Sequence, residues 1–313
     1  MEKIYLSLFL GVILTLIFLS TKPSHALIDI VCNYTGVFCA AAPDDPYVTT
    51  VAGIDINHAN KAGSLPEELG LLTDLSLFHI NSNRFFGKIP ESFKKLNLLY
   101  ELDISNNQFN GGFPYVVLYL PSLKFLDIRF NQFSGTIPSQ LFDLKLDALF
   151  FNNNKFQSSL PTNLGNSPVS VIVMANNGLT GCFPSSSLVK MAGTLKEIVM
   201  TNNGFTGCLK PELGALKGVN VFDVSSNELV GSLPDAIGKM ESLEQLNVAN
   251  NKLSGYIPEM RSKDDTKNCI PYRPFQRSPM ECKAFYAHPL DCSISGCSPP
   301  RPPPPPPRMN HWP

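Results

Sequence analysis

The sequence has no excess of charge of either sign. Its 313 residues include 25 Lys and Arg and 26 Asp and Glu, which gives a formal net charge of −1, and 43% of them are hydrophobic. This composition is typical of an ordinary globular protein with enough chain for one or two domains. We expect no nucleic-acid partner.

Long apolar runs are missing after the first 20 residues. The run from Ile4 to Ser20 follows Lys3 and precedes Ser24-His25-Ala26, which is a small-x-small cleavage site. This pattern predicts a secretory signal peptide over residues 1–26 and therefore a secreted protein. A single membrane anchor is the alternative, because the run approaches the length needed to span a bilayer.

A repeated frame occupies most of the remaining chain. Segments such as "NNQFNGGFP", "FNQFSGTIP" and "NNKLSGYIP" recur with a period in the twenties, which is typical of a leucine-rich repeat. The frame asparagines are Asn83, Asn107, Asn131, Asn154, Asn177, Asn203, Asn227 and Asn251, and an earlier copy has Ala59 in this place. We predict an α/β solenoid, a right-handed superhelix of about nine coils over residues 50–260 with a concave parallel β-sheet.

Each frame position has a predicted role. The asparagines should turn inward and bond the backbones of neighbouring coils, and the glycine four residues later should permit a tight turn. Ser158 replaces that glycine in one coil and Lys210 replaces the following proline in another, so we expect irregular coils there.

Strand alternation predicts which side chains line the concave face. Residues five and three before each asparagine should point inward, and those six, four, two and one before it should point outward. The first half of this face is then acidic and its middle apolar, and such a patch is typical of an interaction site. The predicted peptide-binding residues are Asp55, His79, Glu101, Asp103, Phe125, Asp127, Arg129, Phe130, Phe150 and Asn152. Solubilising aspartates on an ordinary repeat face are the alternative interpretation.

Motifs for catalysis and cofactor binding are missing. The sequence has no nucleophile elbow, phosphate loop or metal-binding helix, and His58 and His79 have no partner at metal spacing. Asp103 and Asp127 should lie about 5 Å apart, as in a retaining glycosidase, but an open face offers no desolvated pocket. We therefore predict no enzyme, no cofactor and no metal.

Eight cysteines predict a disulfide framework, because none has zinc spacing and export favours oxidation. They are Cys32, Cys39, Cys182, Cys208, Cys269, Cys282, Cys292 and Cys297. We predict a Cys32–Cys39 bridge in a short N-terminal cap over residues 27–49. Cys182 and Cys208 both follow the turn glycine of adjacent coils, so we predict a bridge there, with free buried thiols as the alternative. Asn33 is the predicted glycosylation site.

The last 53 residues differ from the rest of the chain. Residues 27–260 contain 15 basic and 21 acidic residues, whereas residues 261–313 contain 8 basic and 4 acidic ones. We predict that the repeats end at Met260. A four-cysteine module over residues 261–297 should follow, with three connectivities open. A basic, proline-rich tail over residues 298–313 is predicted to associate with pectin or another wall polyanion.

Several segments of the sequence are more specific than a generic leucine-rich repeat requires. The phrases "CNYTGVFC", "VAGIDINHA", "LPEELGLLTDLSLFHINSNRF", "LPSLKFLDIRFN", "SPVSVIVMANN" and "QRSPMECKAF" closely resemble the leucine-rich repeat extensins of plant cell walls. The resemblance implies a secreted wall protein that binds basic, cysteine-containing signalling peptides, the rapid alkalinization factors, and acts in wall assembly and growth.

The sequence departs from that family in several places. The N-terminal cap is short, one repeat is missing after Met260, and Phe86 stands where many members have cysteine. The tail has no Ser followed by four prolines and no Tyr-x-Tyr motif, so we expect no firm covalent anchorage. A truncated member and a gene model with missing exons are the two alternatives. The second hypothesis is a polygalacturonase-inhibitor-like protein that binds a wall enzyme. An ectodomain fragment of a receptor kinase is disfavoured. Formation of a homodimer stays an open possibility.

Overall fold

The computed structural model describes residues 30–258, 262–287 and 292. The predicted signal peptide, Cys297 and the proline-rich tail lie outside these residues. In the described part of the chain, no helix is long and apolar enough to cross a membrane.

The largest element is a sheet of eleven strands, here called the main sheet. Its first two strands pair antiparallel, and every later strand pairs in parallel with the one before it, one strand for each coil. In chain order the strands are β1 (Val37–Ala41), β2 (Thr49–Asp55), β4 (Leu77–His79), β6 (Glu101–Asp103), β8 (Phe125–Asp127), β10 (Ala148–Phe150), β12 (Val171–Val173), β14 (Glu197–Val199), β16 (Val221–Asp223), β18 (Gln245–Asn247) and β20 (Lys263–Asp264). This stacking confirms the predicted leucine-rich repeat solenoid.

A second strand in most coils follows the frame asparagine. These strands form one sheet of five, β3 (Ala62–Gly63), β5 (Arg84–Gly87), β7 (Gln108–Gly111), β9 (Gln132–Gly135) and β11 (Lys155–Phe156), and one of four, β13 (Thr180–Cys182), β15 (Gly204–Cys208), β17 (Glu228–Gly231) and β19 (Lys252–Leu253). The interruption falls at the coil in which Ser158 replaces the turn glycine. Seven of the glycines have φ between +77° and +91°, a region that serine enters only at a cost, so the predicted irregularity of this coil is confirmed.

Short helices complete the coils. Seven 3₁₀ helices span Glu67–Leu71, Glu91–Lys95, Tyr115–Tyr119, Ser139–Asp143, Thr162–Asn166, Pro211–Ala215 and Asp235–Lys239, and two α-helices span Ser185–Val189 (α1) and Pro279–Ala287 (α2). A proline precedes most of them and fixes the backbone at their start.

Phenylalanine and leucine fill the space between strands and helices. Phe85, Phe109, Phe133 and Phe156 lie two residues after their asparagines and stack in a column, with ring centroids 6.4–6.5 Å apart and ring planes within 10°. All four are buried. Because each ring packs on the ring of the next coil, the core is continuous and no coil is stable by itself.

The frame asparagines form the predicted ladder. The Asn131 amide nitrogen donates to the carbonyls of Ile104, Ile128 and Arg129 at 3.0–3.3 Å, and its oxygen accepts the N–H of Phe109 at 3.0 Å. The other asparagines repeat these bonds. Each side chain thus bonds four backbone groups around the tight turn, and it joins two coils.

The ladder continues beyond the predicted last repeat. Asn268 donates to Val248, Asp265 and Thr266 and accepts the N–H of Leu253, although it follows Asn251 by only 17 residues. The chain therefore makes one further, shorter coil after Met260, and its strand β20 pairs with β18.

Two disulfides close the ends of the solenoid and a third ties the C-terminal region to its body. Cys32 bonds Cys39, as predicted, and Cys269 bonds Cys282. The predicted Cys182–Cys208 bridge is wrong, because Cys208 bonds Cys292. Cys182 is also disulfide-bonded.

The register of the second strands explains the error. Adjacent coils are offset by two residues in this ladder, so Cys182 lies opposite Thr206, and Cys208 lies opposite Val230. Residues at the same frame position are consequently not nearest neighbours. The Cys208–Cys292 bridge also shows that the four C-terminal cysteines do not pair only among themselves, so none of the three predicted connectivities holds.

Replacing Asn131 with alanine should destabilise the fold strongly. The change leaves the Phe109 N–H buried without a partner, and it removes one of the two hydrogen bonds that each of the Ile104, Ile128 and Arg129 carbonyls accepts. An unsatisfied buried group costs about 1–3 kcal/mol, and each lost hydrogen bond adds about 0.5–1.5 kcal/mol. We expect a loss of about 3 kcal/mol in the free energy of unfolding, measured by urea denaturation followed by circular dichroism. Asn97→Ala is the matched control, because Asn97 is exposed and outside the ladder. Equal losses in both variants would contradict the structural role of the ladder.

Peptide mapping without reduction should recover Cys208 linked to Cys292. The turn at Gly231 offers a second check, because a Cβ added there would lie 2.4 Å from the Cys292 sulfur. We therefore expect Gly231→Ala to leave more free thiol than Gly135→Ala, whose Cβ would meet nothing within 4 Å. Recovery of a Cys182–Cys208 peptide would contradict the observed pairing.

Candidate functional site

The predicted binding residues lie on the outward face of the main sheet. Strand register places Asp55, His79, Asp103, Asp127 and Phe150 side by side on five consecutive strands. The structure therefore brings the predicted column together.

The aspartates of this column have a structural task that the sequence analysis missed. Asp55, Asp103 and Asp127 each use Oδ1 to accept the backbone N–H two residues later, at 2.9–3.0 Å. Asp223 and Asp264 make the same bond in later coils. Aspartate in this position therefore closes the turn that follows the strand. Its recurrence four residues before the asparagine is the sequence signal for this task.

Asp127 is an exception to the predicted exposure. Its side chain is 0% exposed, whereas the other acids of the column are partly exposed. The Arg129 Nε lies 2.9 Å from Asp127 Oδ2, and the Arg129 guanidinium carbon lies 5.2 Å from the centroid of the Phe150 ring. Arg129 thus lies across the strand and covers the carboxyl group. The prediction that Asp127 offers its charge to a ligand is wrong for this conformation.

Burial changes the acidity of this carboxyl group. Loss of solvent, together with the nearby Asp103 carboxylate, raises the pKa of Asp127 to about 7, against the opposing effects of the Arg129 N–H and guanidinium. The sequence analysis did not predict that one carboxyl group of this open face is desolvated. The face has one buried and one half-exposed carboxyl group on adjacent strands.

An aromatic pair lies beside this carboxyl group. The Phe125 and Phe150 rings are half-buried, with centroids 5.6 Å apart. Phe130 follows at the turn and is 46% exposed, as predicted. Its φ of +51° is unusual for a bulky residue, and the equivalent positions in most other coils hold asparagine or serine. A bulky side chain is thus held at this turn, at a cost of about 1 kcal/mol.

Unsatisfied polar atoms concentrate on the same face. Seven buried side-chain atoms of the described residues lack a hydrogen-bond partner within the protein, and four of them lie here. These four are His79 Nε2, Asp127 Oδ2, Arg129 Nε and Asn152 Oδ1. His79 Nε2 is 3.1 Å from Glu101 Oε2, and Arg129 Nε is similarly close to Asp127, but in neither pair are the atoms aligned for a hydrogen bond. Three of these four atoms therefore lie in ion pairs, and Asn152 Oδ1 is the one that has neither a hydrogen bond nor an ion pair.

The chemistry of the face suits polar and aromatic recognition. Among the described residues, no group of three or more His, Cys, Asp or Glu side chains could hold a metal ion. The available groups are two ring faces, a guanidinium stacked on one of them, and the carboxylates of Glu101 and Asp103. Asn33, the predicted glycosylation site, is exposed in the N-terminal cap.

Comparison with known proteins places the fold in the class of leucine-rich repeat proteins. The Leucine Rich Repeat family model matches residues 98–120, 122–144 and 242–261. Among solved structures, the Arabidopsis receptor kinase HAESA, in complex with the peptide hormone IDA and the co-receptor SERK1, aligns with a TM-score of 0.63 and 26% identity. That alignment covers 77% of this chain and 45% of the receptor chain.

Curated relatives define the family more narrowly. Leucine-rich repeat extensin-like protein 6 of Arabidopsis thaliana is 65% identical over 86% of this chain, and leucine-rich repeat extensin-like protein 2 of the same plant is 61% identical over 63% of it. The chain is strongly similar to the leucine-rich repeat extensin-like proteins of this plant. It spans 63% of the length of the first relative and 25% of the second.

Asp127→Asn should change how stability depends on pH. The folded-state pKa of Asp127 is about 7 and the usual value is 3.8, so the unfolded chain loses this proton first as the pH rises. The wild type should therefore lose stability relative to the variant between about pH 4 and pH 7, by about 2 to 4 kcal/mol in total. Urea denaturation at several pH values measures this difference.

The matched control is Asp147→Asn on the next coil. The Asp147 side chain is 64% exposed and pairs with Lys124, so its removal should give a small difference in stability. If Asp127→Asn also shifts stability by a constant amount at every pH, the buried carboxyl group does not titrate as stated.

Proposed function

We propose that this protein is an extracellular cell-wall protein that binds basic secreted signalling peptides of the rapid alkalinization factor type. The binding surface is the outward face of the main sheet around Phe125, Phe150 and Arg129. Through this binding, the protein links the peptide to wall assembly and growth.

The observation that carries the proposal is the aromatic pair of Phe125 and Phe150, flanked by the Arg129–Asp127 and His79–Glu101 ion pairs. Aromatic side chains are the usual anchors of an interface, and polar groups at the edge of such a patch supply its hydrogen bonds. The same residues thus offer both apolar area and hydrogen-bond sites to a peptide.

The charges of the face support a basic ligand. Glu101 and Asp103 retain partial exposure on β6, one strand from the aromatic pair, and Asp55 lies two strands further away. Arg129 is the one basic group among the predicted binding residues, and its charge is directed at Asp127. Complementary charge of this kind accelerates association and selects the partner.

The comparisons support the proposal in general terms. The structural neighbour HAESA was solved with a peptide hormone, and the sequence relatives carry extensin-like names. Binding to a wall enzyme, as a polygalacturonase inhibitor would do, is the second hypothesis. Association of the tail with pectin stays a prediction, and so does the formation of a homodimer. The tail lies outside the described residues.

Substitutions on the face should weaken binding of a basic peptide. We expect Phe150→Ala, and separately the pair Glu101→Lys and Asp103→Lys, to reduce affinity about tenfold or more for a synthetic, oxidised rapid alkalinization factor peptide. Calorimetry on the secreted protein measures the dissociation constant. The charge pair should lose more affinity at low salt than at high salt, because screening weakens its contribution.

Asp235→Lys is the control for charge. It makes the same type of change on an exposed helix residue away from the main sheet. Unchanged affinity in all three variants would place the peptide elsewhere. No measurable binding by the wild type, together with inhibition of a pectinase, would favour the second hypothesis.

A further inference from the structure

Arg129 is the one long, charged side chain at its frame position in the described coils. The residue two before the frame asparagine, or before its equivalent, is short in every other coil. These short residues are Asn57, Asn81, Ser105, Asn152, Ala175, Thr201, Ser225, Ala249 and Thr266. The solenoid therefore does not require a long side chain here, and the arginine serves another purpose than the repeat.

In three other coils this position completes the hydrogen bonding of an aspartate. The hydroxyl groups of Ser105, Ser225 and Thr266 donate to Oδ1 of the aspartate two residues earlier, at 2.6, 2.7 and 2.8 Å. Arg129 replaces that hydroxyl group in the coil of Asp127. Its Nε lies 2.9 Å from Asp127 Oδ2 without the alignment of a hydrogen bond. Relative to those aspartates, Asp127 has lost one hydrogen bond and gained a neighbouring cation.

The guanidinium group of Arg129 contacts both a carboxyl group and an aromatic ring. The Asp127 side chain is fully buried, and the guanidinium carbon lies 5.2 Å from the centroid of the Phe150 ring. Phe125 packs beside Phe150 and extends the apolar wall. A planar guanidinium group pairs with carboxylates and stacks on ring faces, so this combination suits it better than an ammonium group. The face thus contains a guanidinium site, and the chain's own arginine occupies it.

Arg129 is held in this site by few contacts. Its side chain is 38% exposed and is not part of the hydrophobic core. Its buried Nε has no aligned hydrogen bond, whereas the Nε of Arg273 donates to Asp265 at 2.8 Å. Rotation of the Arg129 side chain into solvent therefore breaks one ion pair and one ring contact, and it leaves the core packing intact.

We propose that Asp127 and Phe150 bind an arginine side chain of the ligand, and that Arg129 occupies this site until the ligand displaces it. This role rests on the proposed binding of a basic peptide to the same face. A ligand arginine is free to align its N–H groups with Oδ2, which the Arg129 Nε does not achieve. Displacement also makes the site selective, because a ligand without a guanidinium group leaves Arg129 in place.

Arg129→Ala should uncover the site in the full secreted chain. We expect the dissociation constant of the synthetic, oxidised rapid alkalinization factor peptide to fall by about tenfold, because a charge-assisted hydrogen bond to Asp127 then forms without displacing another cation. Calorimetry at about pH 9 measures this change, since burial raises the pKa of the Asp127 carboxyl group to about 7. Arg129→Ser, which restores the residue type of the other coils, should give the same direction of change.

Two controls separate displacement from a general effect of charge. Removal of any positive charge favours a basic ligand, so Lys124→Ala takes the same charge from an exposed ion pair and should change affinity less than about twofold. In a chain that carries Asp127→Asn, the gain from Arg129→Ala should also fall below about twofold, because the partner of the ligand arginine is absent.

A small probe tests the site without the peptide. N-acetyl-arginine amide, at ten times its dissociation constant, should raise the Tm of the Arg129→Ala variant by about 3 °C. The neutral urea analogue, N-acetyl-citrulline amide, should not raise it. Neither compound should stabilise the variant that also carries Asp127→Asn.

The results distinguish this proposal from the proposed function. A wild type that does not bind the peptide contradicts the proposed function, whatever the probe does. Displacement is overturned if the gain from Arg129→Ala is equal with and without Asp127→Asn. It is also overturned if Arg129→Ala and Arg129→Ser both weaken peptide binding, since Arg129 would then contact the ligand directly. Equal stabilisation by the arginine and citrulline compounds would overturn the guanidinium site itself.

Discussion

The hydrogen bonds of the asparagine ladder are the constraint on which the rest of the structure depends. A coil of about 24 residues must turn sharply after each main-sheet strand, and that turn leaves backbone groups without partners in the interior. One amide side chain satisfies three carbonyls and one N–H, as Asn131 does for Ile104, Ile128, Arg129 and Phe109. Because the bonds join adjacent coils, the ladder fixes their register, and the phenylalanine column then packs ring on ring.

The sequence predicts well whatever repeats in register with this ladder. The strand column from Asp55 to Phe150, the turn glycines and the irregular coil at Ser158 all follow from the frame. Features that depend on contacts between coils were not predictable in the same way. The two-residue offset of the second strands separates Cys182 from Cys208, and a 17-residue spacing concealed Asn268. Asp127 illustrates the same limit, since alternation places it outward and a neighbouring arginine covers it.

The candidate site departs from the regular frame in a way that the scaffold tolerates. Coils with an aspartate four residues before the asparagine use it to close the turn, whereas β10 has Phe150 in that position. Phenylalanine in place of aspartate removes the hydrogen bond to the turn and supplies an aromatic surface, on which the Arg129 guanidinium packs. Asn152 Oδ1 is buried without a hydrogen bond, which would destabilise an isolated turn. Here the ladder and the core determine the backbone, so the face can hold groups that favour a ligand.

The C-terminal coil also depends on a polar side chain in its interior, but here the side chain closes the end of the solenoid. A solenoid must close its last coil with polar groups, because no further coil covers the core. Asp265 occupies a position where earlier coils have a buried apolar residue, and Arg273 neutralises it from the loop that follows. That ion pair closes the core, and it also fixes the backbone between Tyr272 and Phe275. The rigidity that caps the solenoid is therefore the same rigidity that presents two rings to solvent.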